Sequence, residues 1–124
     1  MTGPIVQFAD AKYLNLETFR KTGTGVRTPV WFAPGNKVVY VYSAPDAGKV
    51  KRIRNNPRVR VAPCDFRGNL RGPWWDTQAR ICNGPEAARG QQLLRSKYGW
   101  LKIVGDFFSR LRGRTQTVIA IDMS

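Results

Sequence analysis

The chain has 124 residues, 42% of them hydrophobic, which suits one compact domain with a single core and is too few for two. Its 21 Lys and Arg against 8 Asp and Glu give a net charge of +13, and it contains no histidine and only two cysteines. This excludes an imidazole-based catalytic triad and any convincing zinc site, so chemistry must come from a cofactor or from other groups.

Residues 5–12 read as a short helix that lays Ile5, Phe8 and Ala9 on the body of the domain. Residues 13–21 and 26–33 alternate apolar with polar on either side of Thr22-Gly-Thr-Gly25, which predicts an antiparallel hairpin. Pro34-Gly35-Asn36 is a second turn, and KVVYVY (37–42) is so continuous in β-formers that both of its faces should be covered. A helix is expected next, capped by Ser43 or Asp46 and stopped by Pro57, which pushes Asn56 out of the helical region. Residues 58–62 alternate as a strand, and beyond the turn-rich 65–73 another runs over 74–81. Asn83-Gly-Pro-Glu86 starts a helix that continues over 87–98 with Leu93 and Leu94 inward. A further helix over 100–111 repeats an apolar stripe, and residues 115–123 close the chain as a strand. About six short strands joined by hairpins predict a mainly β single domain, 1–124, curled into an antiparallel barrel whose closure hides its edges. Cys64 and Cys82 lie at unequal distances from the tip of the 65–73 segment and are expected as free thiols.

The helix ahead of Pro57 concentrates fixed charge. At about 100° per residue, Val50 and Ile53 share one narrow face, with Lys49 and Arg52 on one flank and Lys51 and Arg54 on the other. A helix start offers unpaired N–H groups, so a phosphate near Ser43, Gly48 and Lys49 would be held by backbone and side chain together. A solvated basic helix is the competing reading. The overall charge calls for a polyanionic partner: nucleic acid, an anionic membrane or a multiply charged cofactor. A membrane ranks last, because the basic residues are spread along the chain with no amphipathic N-terminal anchor before them; no stretch approaches a ~20-residue apolar span, and the first residues lack a secretory apolar core. A cytoplasmic protein is therefore expected. Nucleic acid ranks behind a cofactor, because the aromatics lie in apolar patterns and do not alternate with Lys and Arg.

Taken together, TPVWFA (28–33), VYVYS (39–43), GKVKRIRNNPRV (48–59) and GPW (72–74) resemble the pyridoxamine 5′-phosphate oxidase-like superfamily of split β-barrels, and within it the small enzymes dependent on the deazaflavin coenzyme F420. The resemblance implies a homodimer with cofactor sites at the subunit interface and a small-molecule substrate. It puts Lys49 at the phosphate, with Lys51 and Arg52 on the tail and Ser43 at the phosphate edge. It puts Thr28, Pro29, Val30 and Trp31 along the ring, Tyr42 nearby, and Trp74 or Trp75 reaching in from the partner. Trp31 and Tyr42 have ordinary core packing as their alternative. A phosphate together with a polycarboxylate tail suits the basic surface better than FMN, the alternative cofactor. Lys51, Arg54, Arg58 and Arg60 are the candidates to follow that tail. Flavin-binding oxidases commonly have arginine where this chain has Gly48, and the absence of histidine argues against vitamin B6 oxidation. The function expected is hydride transfer from reduced F420 to an unsaturated or quinone-like acceptor, with no side chain assigned as catalytic. An FMN-dependent reductase, a cofactor carrier without turnover, and a haem or bilin pocket are the alternatives.

Overall fold

The structure is a computed structural model that describes residues 8, 11–44, 47–98 and 117–124. Seven strands form one wholly antiparallel sheet: β1 (Tyr13–Phe19), β2 (Gly25–Trp31), β3 (Ala33–Pro34), β4 (Val38–Ser43), β5 (Arg58–Cys64), β6 (Trp75–Ile81) and β7 (Thr117–Asp122). Helix α1 (Gly48–Asn55) connects β4 to β5, and α2 (Gly84–Tyr98) follows β6. The spatial order is β2-β1-β5-β6-β7-β4-β3. β6 does the bending: its first half pairs with β5 (Arg58 opposite Gln78, Val61 opposite Trp75), its second half with β7 (Ala79 opposite Ile121, Ile81 opposite Ile119).

The sheet therefore curls into a half-barrel. Its inner face carries Leu14, Leu16, Val39, Val41, Val59, Val61, Ile119 and Ile121, and α1 fills the interior with Val50 and Ile53. α2 covers the outside of β3, β4 and β7, where Ala33, Tyr40, Leu94, Val118 and Ala120 form a second cluster. Strand β4 is thus covered on both faces, as its unbroken run of β-formers predicted.

The expected second strand, 26–33, is two strands. Phe32 turns inward to meet Phe8 edge-on at 5.8 Å, and the chain leaves β1 at Trp31 to pair with β4 from Ala33. Burying that one large ring outweighs continuing the β1 ladder. The expected closed barrel is a half-barrel for the same reason: β2 and β3, consecutive in the chain, are the two ends of the sheet. Both carry a proline, Pro29 and Pro34, which edge strands accept because one side of their ladder is open. The second turn lies one residue later than predicted, closed by Gly35 N–H to the Val38 carbonyl at 2.8 Å, with Lys37 in the left-handed region at φ 61°.

The α1 cap is also corrected. The helix starts at Gly48, its cap is Ala47 with no side-chain bond, and the Ser43 hydroxyl donates to its neighbour's carbonyl, Ala44 O, at 3.1 Å. Ser43 completes β4 opposite Thr117, too far back in the chain to reach the first turn. At the other end Asn56 is extended (φ −147°), as Pro57 requires. α2 begins at Gly84, three residues before the stretch read as its body, with Pro85 in its first turn. Most of 5–12, Asp46 and the whole of the 100–111 helix lie outside the described residues, although Phe8 is buried as expected. Cys64 and Cys82 are buried, unbonded thiols.

Candidate functional site

α1 packs on β1, and this brings three cations into a row. Val50 and Ile53 are buried, so the helix is clamped with one flank toward the Thr18 end of β1 and the other toward solvent. On the inner flank, Arg52 Nε donates to Thr18 Oγ1 at 2.6 Å. Its guanidinium lies over Gly48, where a Cβ would stand 2.7 Å from a terminal nitrogen. Burial, then the neighbouring Arg20, lowers the Arg52 pKa. Lys49, half-buried, is lowered first by burial and then by Arg52. Among the described residues no carboxylate offsets either charge, and Lys49 makes no hydrogen bond or ion pair. Two desolvated cations pressed together, with a third at Arg20, are unfavourable alone and suit a bound anion.

The outer flank is different. Lys51 and Arg54 are exposed, so the division of the helix into two flanks read from periodicity holds, and only the inner one is organised. Arg20 was missed in the sequence. It follows β1 at the hairpin, and nothing in local pattern says that α1 will be laid beside that strand.

A second group forms where β2 meets β4. Trp31, opposite Tyr13 in the ladder, lies with its ring 6.2 Å from that tyrosine at an interplanar angle of 33°. Trp31 and Tyr42 both pack against the cluster under α2. Tyr42 donates to the Gln91 carbonyl at 3.3 Å, and burial raises its pKa while Arg95 works against the rise. Tyr42 is thus protonated at neutral pH and held by α2. Of the other β2 positions, Val30 and Thr28 sit opposite Leu14 and Leu16 on the inner side, and Pro29 shares the outer side with Trp31. As an edge strand, β2 turns part of its backbone N–H and C=O groups away from β1, where a planar ligand could pair with them.

Trp74 belongs to neither group. It lies on the outer face of β1, β2 and β5, with the guanidiniums of Arg27 and Arg60 each 4.8 Å from its ring centroid. Those two arginines bracket the buried Glu17, Arg27 Nε at 2.9 Å and Arg60 at 3.1 Å. Asp76 takes Arg58 at 3.3 Å, and Arg58 also covers Phe19 at 4.8 Å. Arg58 and Arg60, two apart on β5, share a face, but their charge is committed to Glu17 and Asp76 within the chain. Among the described residues no cluster of His, Cys, Asp and Glu could hold a metal, and no helix is long and apolar enough to cross a membrane.

No protein-family model and no curated protein matches the sequence. Solved structures do match in shape. An F420-H2 dependent reductase, FDR-A, superposes with a TM-score of 0.67 at 17% identity, over 90% of this chain and 94% of that one. A candidate pyridoxamine 5′-phosphate oxidase from Listeria innocua gives 0.66 at 13% identity, covering 97% and 90%. HutZ, the haem storage protein of Vibrio cholerae, gives 0.68 at 15% identity, covering 97% and 87%. Strand order, the curl at β6 and these likenesses together identify the fold as the split β-barrel of pyridoxamine 5′-phosphate oxidase-like proteins.

Proposed function

We propose that the chain is an oxidoreductase that binds a phosphate-bearing redox ring of the flavin or deazaflavin type, and within that class coenzyme F420. The observation that carries this reading is the pair Lys49 and Arg52, desolvated, beside the exposed Arg20 and without a described counter-charge. Lys49 and the first turn of α1 would take the phosphate, and Arg52, fixed by Thr18, would hold its second side. Trp31 and Tyr42 would wall the ring, with Thr28, Pro29 and Val30 offering the open edge of β2. A reduced deazaflavin held by these residues would supply hydride chemistry toward an unsaturated or quinone-like acceptor. The protein contributes position and exclusion of water. Ser43 at the phosphate edge, Lys51 near the tail and a partner subunit's Trp74 completing the site remain parts of this proposal, as does the homodimer. The Arg27–Trp74–Arg60 stack makes Trp74 the weakest of these.

FMN is the second reading, and the two separate in a titration of purified protein followed by cofactor fluorescence. Saturable F420 binding in the micromolar range, with weaker FMN binding, is expected; no F420 binding in that range refutes the choice. A haem carrier, as HutZ's name describes that protein, would need an axial ligand other than histidine, which this chain lacks.

A further inference from the structure

We infer that a separate site for a small aromatic carboxylate lies on the outer face of the sheet at the Tyr13 end of β1. A cleft of about 440 Å³ opens there, lined by Lys12, Tyr13, Cys64, Asp65, Phe66 and Arg71. Its volume falls in the range of small-molecule pockets. It lies at the opposite end of β1 from Thr18 and Arg20, a strand length of roughly 20 Å, so it does not depend on the α1 cations.

Its surfaces are aromatic and rigid. Tyr13 is backed by the Trp31 ring, and Phe66 is a large apolar ring that stands 64% exposed. The loop carrying Phe66 is tied down. Asp65 Oδ1 accepts the N–H groups of Arg67 and Asn69 at 2.9 and 3.0 Å, and Oδ2 accepts Asn69 Nδ2 at 3.0 Å. Gly68 supplies the left-handed turn at φ 88°, and Arg71 N–H bonds the Pro63 carbonyl at 2.8 Å. A planar ring can enter between Tyr13 and Phe66 with little ordering cost.

The charges specify the second half of the ligand. Lys12 and Arg71 line the cleft, and Arg67 lies over Phe66 at 5.3 Å. Among the described lining residues the carboxylate is Asp65, and it is engaged by the loop's own donors, which hold it below the ordinary aspartate range. The thiol of Cys64 is buried and pushed up to about 11, so it forms a neutral, polarisable wall. An anion attached to an aromatic ring satisfies both features, and a neutral aromatic satisfies only one.

The test is calorimetric titration of the full chain, without cofactor, using 2-naphthoate and the neutral 2-naphthalenemethanol as probes. One naphthoate per chain is expected, with the alcohol binding about tenfold more weakly. Arg71→Gln and Phe66→Ala, both at exposed positions, should each weaken naphthoate by about fivefold to tenfold. Lys51→Gln should leave it unchanged. Lys12→Gln serves as a second charge variant if Arg71→Gln does not fold. The inference is overturned by an absence of saturable naphthoate binding, by equal affinity for the alcohol, or by indifference to both Phe66→Ala and the charge variants.

Discussion

Replacing Lys49 by methionine separates binding from folding. Methionine keeps an unbranched, mostly apolar side chain of similar length at this half-buried position and removes the ammonium. A charge-assisted bond from that ammonium to a phosphate contributes about 1.5–3 kcal/mol, and 1.4 kcal/mol is tenfold in affinity, so cofactor affinity should fall about 10- to 150-fold. The unliganded protein should respond in the opposite direction. Lys49 is desolvated, has no described partner and is repelled by Arg52, so losing its charge relieves strain instead of breaking an ion pair. The gain is small because the group is only half-buried, at most about 0.5 kcal/mol. Arg89→Met, at an exposed position on α2, is the control and should change affinity less than about threefold. Cofactor fluorescence gives the affinities and urea unfolding of the apo-protein gives the stabilities. Equal losses of affinity in the two variants, or marked destabilisation of the Lys49→Met apo-protein, would refute the assignment of Lys49 as the anion-binding cation.

The lowered pKa of Lys49 predicts the pH dependence of that binding. Affinity should be complete near neutrality and fall as pH rises through a value below the ordinary 10.5, a limb that Lys49→Met lacks in the same titration. In the apo-protein the linkage runs the other way: a depressed folded-state pKa makes this residue's contribution more favourable as pH rises. Gly90→Ala should destabilise the fold by up to about 2 kcal/mol. The added Cβ would stand 2.6 Å from Val118 Cγ1 and 2.9 Å from Tyr40 Cδ1, and overpacking of about 1–3 kcal/mol exceeds the ~1 kcal/mol gained in helix propensity. Thermal unfolding checks it, and a stabilised variant would mean that α2 shifts freely on the sheet. Glu17→Ala should cost about 1–2 kcal/mol in urea unfolding. It strands Arg27 and Arg60, but both reach solvent, so the loss stays below that of a fully buried pair.

The row of cations beside α1 and the stack around Trp74 show how alike charged residues divide by surroundings. Lys49 and Arg52 have cations for neighbours, whereas Arg27, Arg58 and Arg60 have carboxylates and aromatic rings. Only the first group is left with charge to offer. The net charge of +13 therefore overstates how much of the surface is available to one anion.

Alternation, turn residues and prolines were enough to locate the hairpin, strands β4 to β7 and α1, because each depends on neighbours a few residues away. The amphipathic period alone put Lys49 and Arg52 on one flank of α1 and Lys51 and Arg54 on the other. Local pattern could not show that Phe32 would turn inward and cut one strand into β2 and β3, since its reward is contact with Phe8, 24 positions earlier in the chain. Nor could it reveal Arg20 beside Arg52, or Trp74 between Arg27 and Arg60, because those meetings follow from which strands pair and on which face each residue then stands. Backbone periodicity decides which residues share a side of one element. Sheet register and helix docking decide which elements share a site, and they are settled by burial summed over the whole core.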